Sequence, residues 1–229
     1  MQLHVVKEIE YIREMIISMA TIAEEAVRDS VSAFLSLDSE NAKKVIGRDC
    51  EINSLEMNID KEIFECLALK APVAGDLRFL FSMQKINKDL ERIGDHAVNI
   101  AQSALNCIGF GNSMATSEVE LMSTLTRGML SDTVNSFIKS DTQLALMVLK
   151  HDDKVDELNR IMSRQVIEII RKDINTIESA LELLRVSKNL ERIADLSTNI
   201  AEDVIFHANA KDIKHHSGEN SKAEKSSIE

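Results

Sequence analysis

A single proline, seven glycines and no tryptophan among 229 residues leave few of the punctuation marks that sheets and tight hairpins require. Aromatic residues make up only 3% of the chain, and alternating Val/Ile/Thr runs are scarce, so an all-β or doubly wound fold is excluded on composition. Three cysteines, Cys50, Cys66 and Cys107, are odd in number and show no C-x-x-C spacing. They do not form a disulfide framework, and they read as buried thiols in a reducing compartment. Positive charge is also short: 27 Lys and Arg face 38 Asp and Glu, for a net charge of −11. A chain that neutralises nucleic-acid phosphates needs a basic patch, and none is present. No apolar run approaches the roughly 18 residues that cross a bilayer, and MQLHVVKEIEYI lacks the apolar stretch of a signal peptide. The chain therefore reads as cytoplasmic.

What remains is 44% apolar and 28% charged, the balance of a globular helical protein. Ile9, Ile12, Ile16, Met19, Ala23, Ala26, Ser30, Ala33, Phe34 and Leu37 recur at helical spacing and predict a first helix from about residue 4 to about 37. Asp38 and Ser39 are suitable N-caps for a second helix carrying Val45, Ile52, Leu55, Ile59, Ile63 and Cys66. It must stop before Ala71-Pro72, because the residue preceding proline disfavours helical backbone. A third helix is expected from near Asp76 to about Cys107. GFGNSMATS, residues 109–117, is aperiodic and reads as a linker.

The pattern then begins again. FLSLDSENAKKVIGRDCEINSL, 34–55, aligns with FIKSDTQLALMVLKHDDKVDEL, 137–158, at an offset of 103, whereas DLERIGDHAVNIAQ, 89–102, aligns with NLERIADLSTNIAE, 189–202, at an offset of 100. About three residues are lost near Lys172-Asp173. The expected architecture is all-α: two tandem up-down three-helix bundles of long antiparallel helices, residues 1–108 and 118–208, packed side by side. The polar segment 209–229, with His215 and His216, reads as a disordered tail.

At about 100° per residue, placing Glu91 at zero puts Asp95 near 40° and Asn99 near 80°, while Ile86, Leu90, Ile93, Ala97, Ile100 and Ala104 cluster around 220°. Glu191, Asp195 and Asn199 repeat the arrangement, so both acid stripes are expected to face away from the core. Carboxylates four apart repel, and a helix built for stability alone favours Glu-to-Lys pairs instead. Asp49 and Asn53 on the second helix, and Asp152 and Asp156 on the fifth, supply another oxygen pair at the same spacing. Adjacent helices can bring the pairs together as oxygen ligands for Mg, Mn or Fe, with Zn also held by carboxylates. A buried di-metal oxygenase is excluded, since the chain has no Glu-x-x-His. Arg92 and Arg192 are expected to orient the carboxylates, and His96, replaced by Leu196 in the second copy, to lie on the surface. The chain shows no phosphate-cradling glycine loop and no nucleophile with a paired base.

DCEINSLE (49–56), APVAGDLR (71–78), the two LERI-x-D copies and EDVIFHANAKDIKH (202–215) resemble the PhoU family of phosphate-uptake regulators, from residue 1 to about 216. The resemblance implies tandem three-helix bundles with surface clusters of iron, zinc or other metals. At its motif positions stand Asp49, Asn53, Glu91, Asp95, Asp152, Asp156, Glu191 and Asp195, with Asn99 and Asn199 one turn further. It implies a homodimeric negative regulator of high-affinity phosphate import and of the starvation response. Such a protein contacts a sensor histidine kinase and a phosphate ABC transporter, and reaches the membrane only through these partners. Ala194 and Ala210 stand where the family often has glycine; Ala194 is expected to narrow the approach to the second site, and neutral Asn53 to weaken the first. Other readings are an accessory of a low-affinity phosphate transporter, a metal-dependent hydrolase using the surface carboxylates, and a purely structural module.

Overall fold

A computed structural model describes residues 2–70, 72, 74–111 and 116–209, which form α1 (Gln2–Ser36), α2 (Ser39–Lys70), α3 (Ala74–Phe110), α4 (Ser117–Lys139), α5 (Thr142–Lys172) and α6 (Ile177–Asn209). No strand occurs among the described residues. The segment expected to be a disordered tail lies outside them, apart from Asn209. The expected linker is shorter than anticipated, because α3 continues through Gly109 and Phe110.

Both α1 and α4 end in the same way, with a left-handed residue that is not glycine. Leu37 has φ 53° and Ser140 has φ 52°. The following amides reach back five residues, Asp38 N to the Ala33 carbonyl at 3.0 Å and Asp141 N to the Ser136 carbonyl at 2.9 Å. These bonds satisfy carbonyls that the helix end orphans. Each aspartate then caps the next helix: Asp38 Oδ1 accepts from the amides of Glu40 and Asn41, and Asp141 Oδ1 from those of Gln143 and Leu144. A side chain in left-handed backbone carries a steric cost of roughly 1–2 kcal/mol. Ser140→Gly is therefore expected to raise the stability by about 1 kcal/mol in urea titration; a loss would show that the hydroxyl holds the turn. Pro72 occupies the α2–α3 connection, whereas Asp173 and a 3-10 turn at Ile174–Thr176 occupy the α5–α6 connection.

The periodic apolar residues bury as expected. Ile12, Ile16, Met19, Ile52, Ile59, Ile63, Leu90, Ile93 and Ile100 fill the first triplet, and Met122, Leu130, Val148, Val155, Leu190 and Ile193 the second. Leu55 and Leu37 are only partly buried. Cys66 and Cys107 are buried as predicted, but Cys50 is exposed, one position past the face that α2 turns inward.

The triplets α1-α2-α3 and α4-α5-α6 pack chiefly through α3 against α6, with α1 touching α4. Lys85 pairs with Asp203, His96 with Asn189, Asn99 with Arg185 and Asn106 with Glu182, so α3 and α6 run antiparallel. This register sets Gly94 opposite the region of Ala194, where an approximate two-fold axis relates the repeats. His96 is thus not a surface histidine: its Nδ1 lies 2.8 Å from Asn189 Oδ1 between the triplets. Its counterpart Leu196 is 2% exposed. Helical phase alone could not place either residue, because the second triplet covers that side of α3. No helix among the described residues is long and apolar enough to cross a membrane.

Candidate functional site

The repeated acids lie in two grooves, one between α2 and α3 and the other between α5 and α6. They do not form fully exposed stripes. Asp95 is exposed, but the side chains of Glu91 and Glu191 are only 17% and 15% accessible. The reason is tertiary: α2 and α5 overhang the edge of the stripe that helical phase had set opposite the core.

In the first groove Asn53 Nδ2 donates to Asp49 Oδ2 at 2.8 Å, while Asp49 Oδ1 is buried without a partner. Burial, and then the charge of Asp95, pushes the Asp49 carboxyl above its ordinary pKa, against the opposing hydrogen bond from Asn53. Lys88 bridges Glu56 and Glu91, each at 3.1 Å. In the second groove Asp152 Oδ1 is likewise buried and unpartnered. Burial, followed by the charges of Asp195, Asp156, Asp153 and Glu191, pushes Asp152 up to about 6. Asp195 is also raised, by burial and then by Glu191, with Arg192 opposing. Lys188 pairs with Glu191, as Lys88 does with Glu91.

These contacts correct three expectations. Glu91 and Glu191 each have a lysine one turn earlier, so the two glutamates are not the uncompensated acids that spacing alone implied. Arg192 does orient its stripe, donating to Asp195 Oδ2 at 3.0 Å, but Arg92 pairs with Asp89. Asn99 Oδ1 accepts from Arg185 at 3.5 Å and so turns toward α6, away from Asp49, while Asn199 is half-buried. The charge left unrelieved therefore concentrates on Asp49 with Asp95, and on Asp152 with Asp156, beside an Asp195 that Arg192 partly offsets.

Ala194 is fully buried and narrows no outer approach. A Cβ built on Gly94 would come within 2.8 Å of Ile52 Cδ1. At the repeat offsets, Ile52 corresponds to Val155 and Gly94 to Ala194, so the carbon added on α6 is matched by one removed from α5. Gly94→Ala and Ile52→Val are accordingly expected to be non-additive, with the double variant about 1 kcal/mol more stable than the sum of the singles. Additive urea midpoints would contradict this account.

An oxygen-ligated cation suits the donor set, because unpartnered carboxylate oxygens whose protons are held too tightly are what a hard positive charge relieves. As placed, however, no three His, Cys, Asp or Glu among the described residues come together as a ligand group. Asp49 also flanks a cleft floored by Ile22, Val45, Ile52 and Gly94. The described surroundings of both grooves show no nucleophile paired with a base.

A family description, PhoU domain, matches residues 16–104 and 119–204, once on each helical triplet. The chain belongs to the PhoU family. It is 36% identical over 209 residues to a phosphate-specific transport system accessory protein PhoU homolog of Aquifex aeolicus, covering 91% of this chain and 95% of the relative. A homolog of the same name from Pseudomonas putida is 34% identical over 209 residues, covering 91% and 82%. The crystal structure of PhoU from Pseudomonas aeruginosa superposes with a TM-score of 0.87 at 33% identity, covering 90% of this chain and 99% of that one. The all-α PhoU fold is thereby shared, and these relatives are named as accessory proteins of transport and not as enzymes.

Sequence reasoning missed Lys88, Lys188 and Asp203, and misplaced His96. The lysines were legible, since a lysine three positions before a glutamate shares its helix face. The other two needed the α3–α6 register.

Proposed function

We propose that this protein is a cytoplasmic negative regulator of high-affinity phosphate uptake and of the phosphate starvation response. It acts by contact, engaging a phosphate ABC transporter and a sensor histidine kinase when phosphate is plentiful, as a homodimer. The observation that carries the reading is the duplicated carboxylate groove on a chain whose relatives are named accessory proteins of a phosphate-specific transport system. Asp49, Asn53, Glu91 and Asp95 would hold a metal in the first groove, and Asp152, Asp156, Glu191 and Asp195 in the second, with iron or zinc, magnesium or manganese as the ions. When bound, the metal supplies positive charge at an otherwise repulsive acidic surface. Asn199 would act one turn away, whereas Asn99 is engaged by Arg185.

The second groove, with four carboxylates, is expected to retain metal more strongly than the first, where an amide replaces one of them. Metal analysis after purification without chelator, on Asp49→Asn/Asp95→Asn and on Asp152→Asn/Asp195→Asn, checks the order: the second variant should lose more. The opposite order would contradict it. Deletion of the gene should release a phosphate-starvation reporter at high phosphate, and unchanged repression would overturn the regulatory reading. Phosphatase turnover abolished by Glu191→Ala would favour the hydrolase alternative.

A further inference from the structure

At one end of the molecule α1, α3, α4 and α6 meet around polar groups that the acidic grooves do not use. Phe79 and Ser82 of α3, Phe137 of α4, Ser140 just beyond it, and Asp203 and His207 of α6 line a cleft of about 260 Å³, counting its open mouth. Ser82 is 2% exposed, and its Oγ has no hydrogen-bond partner. His207 Nδ1 and, on α1, Arg13 Nε are also buried and unpartnered. A hydroxyl and a guanidinium N–H can both donate, and leaving such groups unmet in a dry site costs about 1–3 kcal/mol each.

The surroundings hold these groups in place. Arg13 lies over the Phe137 ring at 6.0 Å and donates from Nη2 to the Ile138 carbonyl. Phe79 contacts both the His207 ring, at 4.2 Å, and Phe137, at 6.5 Å. Burial, and then the charges of Arg78 and Arg13, keeps the His207 imidazole below its ordinary pKa. Of the nearby acids, Asp203 is engaged by Lys85 at 3.3 Å, and Glu10 lies 3.9 Å from the outer Nη1 of Arg13.

The internal repeat supplies a comparison. At an offset of 100, Phe79, Ser82, Asp203 and His207 correspond to Ser179, Glu182, Ser103 and Cys107. The other end of the same fold thus carries an acid and a thiol where this end carries a hydroxyl and an imidazole. The cluster of donors is not something the fold requires.

We propose that this junction binds a small oxyanion of the phosphate or sulfate class, received by Ser82 Oγ, Arg13 Nε, the His207 ring and the Arg78 guanidinium. Guanidinium groups favour such ions through charge-assisted, paired hydrogen bonds. The cleft is small, which favours a bare ion over a nucleotide. No glycine-rich loop is needed, because side chains from three helices supply the donors. An ion bound here would tie α1 and α3 of the first repeat to α6 of the second. The site adds a ligand to the regulatory reading and does not depend on the metal grooves.

The test is calorimetric titration of the full chain, in chelator and chloride buffer, with inorganic phosphate and separately with sulfate. Binding of phosphate, alone or with sulfate, is expected, and Ser82→Ala and Arg78→Gln should each weaken it by about tenfold. Lys150→Gln, at an exposed position in neither site, should bind as wild type does. The His207 ring resonances of the wild type should move as phosphate is added, a readout independent of any variant's folding. No binding of either ion, equal binding by the wild type and both variants, or a stationary His207 signal overturns the proposal. None of these outcomes alters the starvation-reporter result, so the two readings fail separately.

Discussion

Asp152→Asn is expected to make the metal-free protein more stable at pH 8. Folding holds a proton on Asp152 up to about 6, whereas an unfolded aspartate releases it near 4. Between those values the folded state binds more protons than the unfolded state, so stability falls as pH rises through the window and stays low above it. Asp49 and Asp195 are shifted in the same direction. For a fully buried group the penalty would be about 3 kcal/mol; with the side chain partly solvated, screening reduces it to about 1 kcal/mol. The variant should therefore gain about that much at pH 8, gain little at pH 4, and respond less to added divalent metal than the wild type. Urea titrations at pH 4, 6 and 8 with chelator measure this directly. A loss of stability at pH 8 would show that Asp152 is compensated in the absence of metal.

Ile93→Ala is expected to cost about 3–4 kcal/mol, because Ile93 is fully buried and a truncated core residue leaves a cavity that neighbours only partly close. Ile193→Ala, at the matching position of α6, should cost a similar amount. Both residues lie near the approximate axis where α3 packs on α6, so either truncation should lower one shared cooperative transition. Two separated transitions in calorimetry, only one of which moves, would show that the triplets unfold independently.

The residues that could be read from sequence are those whose role is decided within one helix or one turn. Asp38 announced its cap, Pro72 marked the end of α2, and the apolar stripes on α3 and α6 buried where helical phase placed them. The acid spacing also survived, since residues four apart share a face whatever the helix packs against. The depth of that face did not, because Glu91 and Glu191 are sheltered by a neighbouring helix whose position no single-helix periodicity encodes. His96, Asp203 and the donors around Ser82 acquire meaning only from the antiparallel register of α3 and α6. Cys50 was misread for the opposite reason: cysteine is usually buried, but this one sits a single position off the inward face of α2.

The most direct test expresses a variant in which Asp152, Asp156 and Asp195 are asparagine and Glu191 is glutamine in a strain lacking the gene, and reads a phosphate-starvation reporter at high phosphate. The account predicts that the wild-type chain restores repression, while the variant, folded by circular dichroism and present at equal level, leaves the reporter on. Full repression by the folded variant would contradict the claim that the carboxylate groove carries the regulation.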